Sequence, residues 1–257
     1  MSGREEPLVS VLMPAYNGEN YIEKAVRSVL AQSLSDWELI LIDDCSLDGT
    51  WEIACRLAQE DGRIRLYRNG QNLGPARTRN YGLDLCRGAY VALLDCDDLW
   101  YPEKLEKQVA LAKVTEADII YCGYAIVDEN GRRQCRDFTV PESTDVAATL
   151  VQSVISCSTA LLDKRIAEQY RFPVDYYHED LALWLQILGD GRKAVGIPEI
   201  LAQYRVHPQS RACEKWKVAR RRWKLYRSML GMSVGKTAYY FLQYAWEGIR
   251  KYQRCPE

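Results

Sequence analysis

The chain has 257 residues, 27% of them charged and 47% hydrophobic, a globular composition that excludes disorder and fibres. Its apolar runs fall far short of the roughly 20 residues of a membrane span, and nine scattered cysteines without a Cys-x-x-Cys pair exclude a zinc ribbon or disulfide framework. The net charge of −1 hides an asymmetry: residues 211–257 hold 12 of the 34 Lys/Arg and 3 of the 35 Asp/Glu, a balance of +9 against −10 for residues 1–210.

Residues 8–15 form an apolar run expected to be a buried strand. From residue 18 to 32 the apolar positions Tyr21, Ile22, Ala25, Val26, Val29 and Leu30 recur at helical spacing. Residues 37–42 read as a second strand, and a helix starts near Thr50 with Trp51, Ile53, Ala54 and Leu57 on its apolar side. Residues 63–68 alternate as a third strand, 76–86 read as a helix and 90–94 as a fourth strand. Pro102 is expected in the first turn of a helix reaching about residue 114, followed by a strand over 118–127. The rest, to about residue 207, reads as mixed α/β. Repeated strand–helix–strand units predict an α/β domain with a mostly parallel, doubly wound sheet over residues 1–210. Ligands then bind beyond the carboxyl ends of the strands.

Polar clusters sit at three of those ends: residues 14–17, 43–46 and 95–98. The last places Asp95, Asp97 and Asp98 within four residues. Clustered carboxylates repel one another unless a cation neutralises them, and oxygen ligands suit Mg²⁺ or Mn²⁺. Asp98 is also a candidate N-cap for the following helix, as Ser46 and Asp48 are for theirs. No G-x-G-x-x-G follows the first strand and no Walker A loop is present, which argues against a dinucleotide oxidoreductase and a P-loop phosphotransferase.

Four blocks in order, residues 9–17 (VSVLMPAYN), 42–50 (IDDCSLDGT), 72–80 with Asn72, Gly74, Arg79 and Asn80, and 94–98 (LDCDD), resemble the family 2 glycosyltransferases. The resemblance implies the GT-A fold, a nucleotide-diphosphate sugar donor, a divalent metal and inversion at the anomeric carbon. It places Pro14, Tyr16 and Asp44 around the nucleobase, Arg79 on the nucleotide, Asp95 on the ribose or metal, and Asp97 on the metal. Residues 178–180 (HED) resemble the family's Glu-Asp motif, which makes Asp180 the general base that removes the acceptor proton. Asp180 falls at a predicted helix start, where the helix dipole is expected to lower its pKa. Residues 204–207 (YRVH) resemble the closing block of the family, with Arg205 offering charge to phosphate and His207 near the diphosphate or in the metal shell.

The tail carries Lys215, Lys217, Arg220, Arg221, Arg222, Lys224 and Arg227 among Trp216, Trp223 and Tyr226. Such a helix either lies on an anionic membrane surface or packs on the body through its aromatics; the acidic body argues against nucleic acid. The tail also resembles that of the teichuronic-acid and capsule type of bacterial glycosyltransferases, which act on lipid-linked acceptors. With residues 1–7 lacking a signal-peptide apolar region, a cytoplasmic enzyme on the inner membrane face is expected, using a UDP-sugar. A phosphatase of the haloacid dehalogenase type and a catalytically degenerate GT-A scaffold stand as alternatives.

Overall fold

The computed structural model describes residues 6–134, 136–206 and 215–253. In chain order the body comprises β1 (Val9–Ala15), α1 (Ile22–Leu30), β2 (Trp37–Asp43), α2 (Thr50–Glu60), β3 (Ile64–Arg68), α3 (Pro75–Leu85), β4 (Tyr90–Leu93), β5 (Leu99–Trp100) and α4 (Lys104–Thr115). There follow β6 (Ile119–Val127), β7 (Ser143–Thr144), α5 (Val146–Val151), a 3₁₀ turn (Cys157–Thr159), β8 (Leu161–Asp163), α6 (Lys164–Gln169), α7 (Glu179–Gly189) and β9 (Ala194–Arg205). The tail supplies α8 (Lys215–Ser228) and α9 (Val234–Gln253).

The sheet runs β3-β2-β1-β4-β8-β6-β9-β5, with β7 paired beside β9. β3, β2, β1 and β4 are mutually parallel, and β6 and β9 are parallel to each other. The short β8 runs antiparallel between β4 and β6, so the six longer strands share one direction. Every residue of β2 is buried, as expected of a strand covered on both faces.

Side-chain alternation divides the core. Val9, Val11, Met13, Leu39 and Leu41 face α1, α2 and α4, whereas Leu12, Ile40 and Ile42 face α3, α6 and α7. The α3 axis lies close to the sheet because Gly82 has no side chain; a Cβ there would meet Leu12 Cδ1 at 2.1 Å. The chain leaves β1 toward β2 but returns through α3 to β4 on the other side of β1. That reversal opens the crevice in which open α/β sheets hold ligands.

α7 is apolar around most of its circumference, which marks a helix enclosed on two sides. Leu183, Trp184, Ile187 and Leu188 meet the sheet. Leu181, Ala182 and Leu185 meet Leu225, Tyr226 and Met232 of the tail. The tail therefore packs on the body. Arg222, one of the cations that the sequence groups on a basic face, is 4% exposed. Its guanidinium donates to the carbonyls of Thr149 and Leu150 and to the Tyr226 hydroxyl, so it fastens α8 to α5.

The helix expected at Pro102 begins at Lys104 instead. Between β4 and α4 the chain first forms β5 and pairs with β9, and Tyr101 N donates to Leu201 O. Sheet pairing holds these residues extended against a helical propensity. Among the described residues no helix is long and apolar enough to cross a membrane.

Candidate active site

The loops after β1 and β2 are laced together. Asn17 and Cys45 both have positive φ, 49° and 62°, a conformation that non-glycine residues adopt seldom. Cross-loop hydrogen bonds hold them there: Asn17 N donates to Ser46 Oγ, Leu47 N to Asn17 Oδ1, and Glu19 N to Asp48 Oδ2. Ser46 and Asp48 thus support the β1 loop; the N-cap position of α2 is Gly49, and Asp48 Oδ1 also accepts from Thr50 N at that helix start, as its capping role predicts. Asp44 is 3% exposed and accepts from Leu73 N, Gly74 N and Asn69 Nδ2 at 2.7–2.9 Å. It ties down the segment before α3, where Gly74 takes φ +82°.

The acidic loop after β4 is anchored from two later segments. Asp95 N donates to Ser158 Oγ, and that hydroxyl donates to Asp98 Oδ2. Asp98 Oδ1 accepts from Arg205 N. Asp98 is therefore a buried bracket rather than a helix cap, and burial together with the charges of Asp97 and Asp95 pushes its pKa well up. Arg205 is 2% exposed, and its guanidinium donates to the carbonyls of Asp97, Asp128 and Glu129. Its charge steadies the acidic loop instead of being presented to a phosphate.

Arg79, 3% exposed, joins that loop to α7. One terminal nitrogen donates to Asp95 Oδ1 and the other to Glu179 Oε1 at 2.8 Å. Its Nε has no partner among the described residues. Burial opposes the charge, but Asp95 and Glu179 hold it. Asp180, next to Glu179 in the first turn of α7, is half-buried and accepts from Leu181 N at 2.7 Å. Its pKa is raised, by burial first and then by Glu179. The expectation of a helix-lowered pKa does not hold, because desolvation disfavours the carboxylate more than the helix end favours it. The buried Cys157 senses Arg79, Asp95, Asp180 and Glu179 together, so these groups share one electrostatic neighbourhood.

A cavity of about 510 Å³ opens at these strand ends. Pro14, Tyr16, Asp44, Arg79, Asp95 and Asp97 all line it. Tyr16 is 44% exposed and offers an aromatic face. Asp180 is not part of this wall; Arg79 and Glu179 connect it to the cavity. His207 lies outside the described residues. Sequence reasoning missed Ser158, which braces the loop, and gave no role to Tyr204 of the 204–207 block, which lines the cavity; a lone Ser in a three-residue turn carries no pattern to find.

The residues present fit a hard divalent cation. Asp95 and Asp97 border one cavity, and the Asp97 charge reaches its neighbours: after burial it adds to the raised pKa of Cys96 and, behind Glu129 and Asp98 respectively, to those of Tyr21 and Tyr204. Among the described residues no three His, Cys, Asp or Glu side chains converge. Two carboxylates with the remaining positions left to water and phosphate oxygens is the usual protein share of a Mg²⁺ shell.

A crevice at the carboxyl ends of strands, walled by carboxylates and one open aromatic ring, defines a ligand site of the open α/β class. The chain belongs to glycosyl transferase family 2, whose family model matches residues 10–171. It is 37% identical over 246 residues to the "Putative teichuronic acid biosynthesis glycosyltransferase TuaG" of Bacillus subtilis, covering 96% of this chain and 98% of that one. It is 32% identical over 250 residues to the Escherichia coli "UDP-Glc:alpha-D-GlcNAc-diphosphoundecaprenol beta-1,3-glucosyltransferase WfgD", covering 96% of each. S. aureus TarS, in a crystal structure with UDP, shares the GT-A fold with a TM-score of 0.67 at 20% identity, over 92% of this chain and 70% of that one. The phosphatase alternative is thereby set aside.

Proposed function

We propose that the chain is an inverting, metal-dependent hexosyltransferase that moves a sugar from a UDP donor to a hydroxyl of a lipid-linked precursor of a cell-surface glycan. One observation carries this: Arg79 grips Asp95 of the acidic loop and Glu179 of the α7 start, setting the base candidate Asp180 beside the donor cavity. Pro14 and Tyr16 form the nucleobase wall, and Asp44 keeps the 69–74 segment folded over it. Arg79 acts as a brace, since both terminal nitrogens are committed to carboxylates. Asp95 and Asp97 hold Mn²⁺ or Mg²⁺, with His207 as a further ligand, and the bound cation supplies charge neutralisation for the departing diphosphate. The acceptor oxygen bonds to the anomeric carbon as the bond to the diphosphate breaks. The bonding pair leaves with UDP, and the hydroxyl proton passes to the Asp180 carboxylate. The retained Asp95, Asp97 and Asp180 favour this over a degenerate scaffold.

Calorimetric titration of UDP tests the donor site. Binding is expected to tighten with Mn²⁺ or Mg²⁺ and to weaken in chelator, and Asp97→Ala is expected to lose the metal-dependent part. Equal UDP affinity with and without chelator removes the metal from the proposal.

Residues 211–257 are proposed as a unit that holds the 1–210 body on the inner face of the cell membrane. Val234, Tyr239, Leu242 and Trp246 of α9 are 59–68% exposed, a large apolar display for a surface helix. Arg220, Lys224 and Arg227 of α8 are exposed as well, and each cation near an anionic surface contributes about 1 kcal/mol. The double substitution Leu242→Ser/Trp246→Ser and the reversal Arg220→Glu/Lys224→Glu should each release the protein from anionic vesicles at low salt, with UDP binding retained. Arg222 is left alone because it is buried. Wild-type protein that stays in the supernatant with such vesicles rules out the membrane role.

A further inference from the structure

A second cavity, of about 320 Å³, opens beside the first, and Gly74 and Pro75 form part of the wall of each. Its other sides are the first turn of α3, residues 174–179 leading into α7, and Arg221 from α8. Three segments far apart in the chain, one of them from the tail, enclose it. None of the sequence blocks that mark the family contributes Arg221 or residues 174–177.

The charge of this cavity is unusual for the molecule. Many arginines of the body are committed to carboxylates, among them Arg27, Arg56, Arg63, Arg65, Arg68, Arg79 and Arg87. Arg77 and Arg221 both line the cavity, and neither has an ion-pair partner among the described residues. Arg221 lies over the Tyr177 ring, with its central carbon 3.7 Å from the ring centre. Stacking of this kind fixes the plane of a guanidinium while leaving its N–H donors directed outward in that plane, the geometry that grips phosphate with two hydrogen bonds. Two carboxylates also border the cavity. Glu179 is neutralised by Arg79, and Asp175 is exposed.

The position is as telling as the charge. Glu179 lines the cavity, and the proposed base Asp180 is the next residue in the first turn of α7.

We propose that this cavity is an acceptor subsite, in which Arg77 and Arg221 hold the diphosphate of a lipid-diphosphate-linked sugar while the sugar hydroxyl faces Asp180. The proposal rests on the transferase reading above and deepens it: the tail does more than pack, because α8 delivers one of the two phosphate-binding arginines. It also gives acceptor choice a physical basis, since a neutral glycoside leaves two guanidinium groups beside an empty cavity.

The test is calorimetry on the full chain loaded with UDP and Mn²⁺, using three probes. These are GlcNAc α-diphosphate bearing a short alkyl chain, the neutral short-chain alkyl GlcNAc glycoside, and inorganic phosphate. Wild type is expected to bind the glycosyl diphosphate at least about tenfold more tightly than the neutral glycoside, a difference of about 1.4 kcal/mol. Arg77→Gln and Arg221→Gln should each narrow that gap and the double variant should close it, with UDP affinity and melting temperature unchanged. Arg221→Lys, which keeps charge but not the planar fork, should restore only part of it. Equal binding of the two glycosides by wild type overturns the proposal, as does a gap that survives the double variant. Inorganic phosphate binding as tightly as the glycosyl diphosphate also overturns it, because the site then serves a free anion. If wild type fails to bind UDP, the donor reading falls by itself, and the same comparison on unloaded protein decides the subsite.

Discussion

Asp180→Asn is expected to lower transfer by about 10²–10⁴, the usual cost of removing a general base, while UDP binds as tightly as to wild type. The change removes the proton-accepting oxygen and little else: Asn retains a side-chain oxygen to accept from Leu181 N, as Asp180 does. A base acts on the acceptor, so its loss belongs in turnover rather than in donor affinity. The pH profile adds a second measurement. The Asp180 pKa stands above its ordinary value of 3.8 because of burial and Glu179. Transfer needs the carboxylate, so activity is lost as pH falls through this raised pKa, at a higher pH than an exposed aspartate would give. Residual turnover of Asp180→Asn should lack that acid limb. Turnover close to wild type would move the base role elsewhere, first to Glu179.

Arg79→Met is expected to destabilise the fold by about 3–5 kcal/mol, the range for removing one member of a buried ion pair. Glu179 is 3% exposed and Asp95 28%, so the Glu179 carboxylate would be left buried without its cation, while Asp95, partly open to the cavity, would lose its partner as well. Glu179 cannot swing to water while α7 holds its backbone in place. Urea unfolding measures the loss. Arg79→Lys, which keeps the charge but cannot span both partners with a planar fork, should fall between wild type and Arg79→Met, and it provides the measurement if Arg79→Met does not accumulate. Arg79→Met within about 1 kcal/mol of wild type, the range of an exposed ion pair, would mean that the two carboxylates need no brace.

The regular elements of the first half were legible from periodicity. β1 and β2 are mainly apolar runs, and α1 and α2 repeat their apolar positions at 3.6 residues, since each buries one face on the sheet. The doubly wound order followed from strand–helix alternation, and the ligand edge followed from the order. β5, β7 and β8 were not legible. Strands of two or three residues are too short to show an alternation, and they exist because a neighbouring edge pairs with them.

The candidate site divides in the same way. Pro14, Tyr16, Asp44, Arg79, Asp95 and Asp97 were each marked by a local block, and the sheet brings all six to one cavity. Local chemistry determined which residue types stand at the strand ends, because a loop leaving a parallel strand has nowhere to go but the ligand edge. What each side chain touches is a long-range matter. Arg79 meets Glu179 across 100 residues and Arg222 meets Leu150 across 72, and no spacing rule links such pairs. Burial then reverses two expectations drawn from sequence neighbours: it lifts the Asp180 pKa against the helix end, and it takes Arg222 out of the basic face. The sequence by itself determined the class of fold, the family and the acidic edge. Only the tertiary structure decided which charges are consumed inside the protein and which, like Arg77 and Arg221, stand beside a cavity without an ion pair among the described residues, because desolvation and pairing are properties of segments brought together in space.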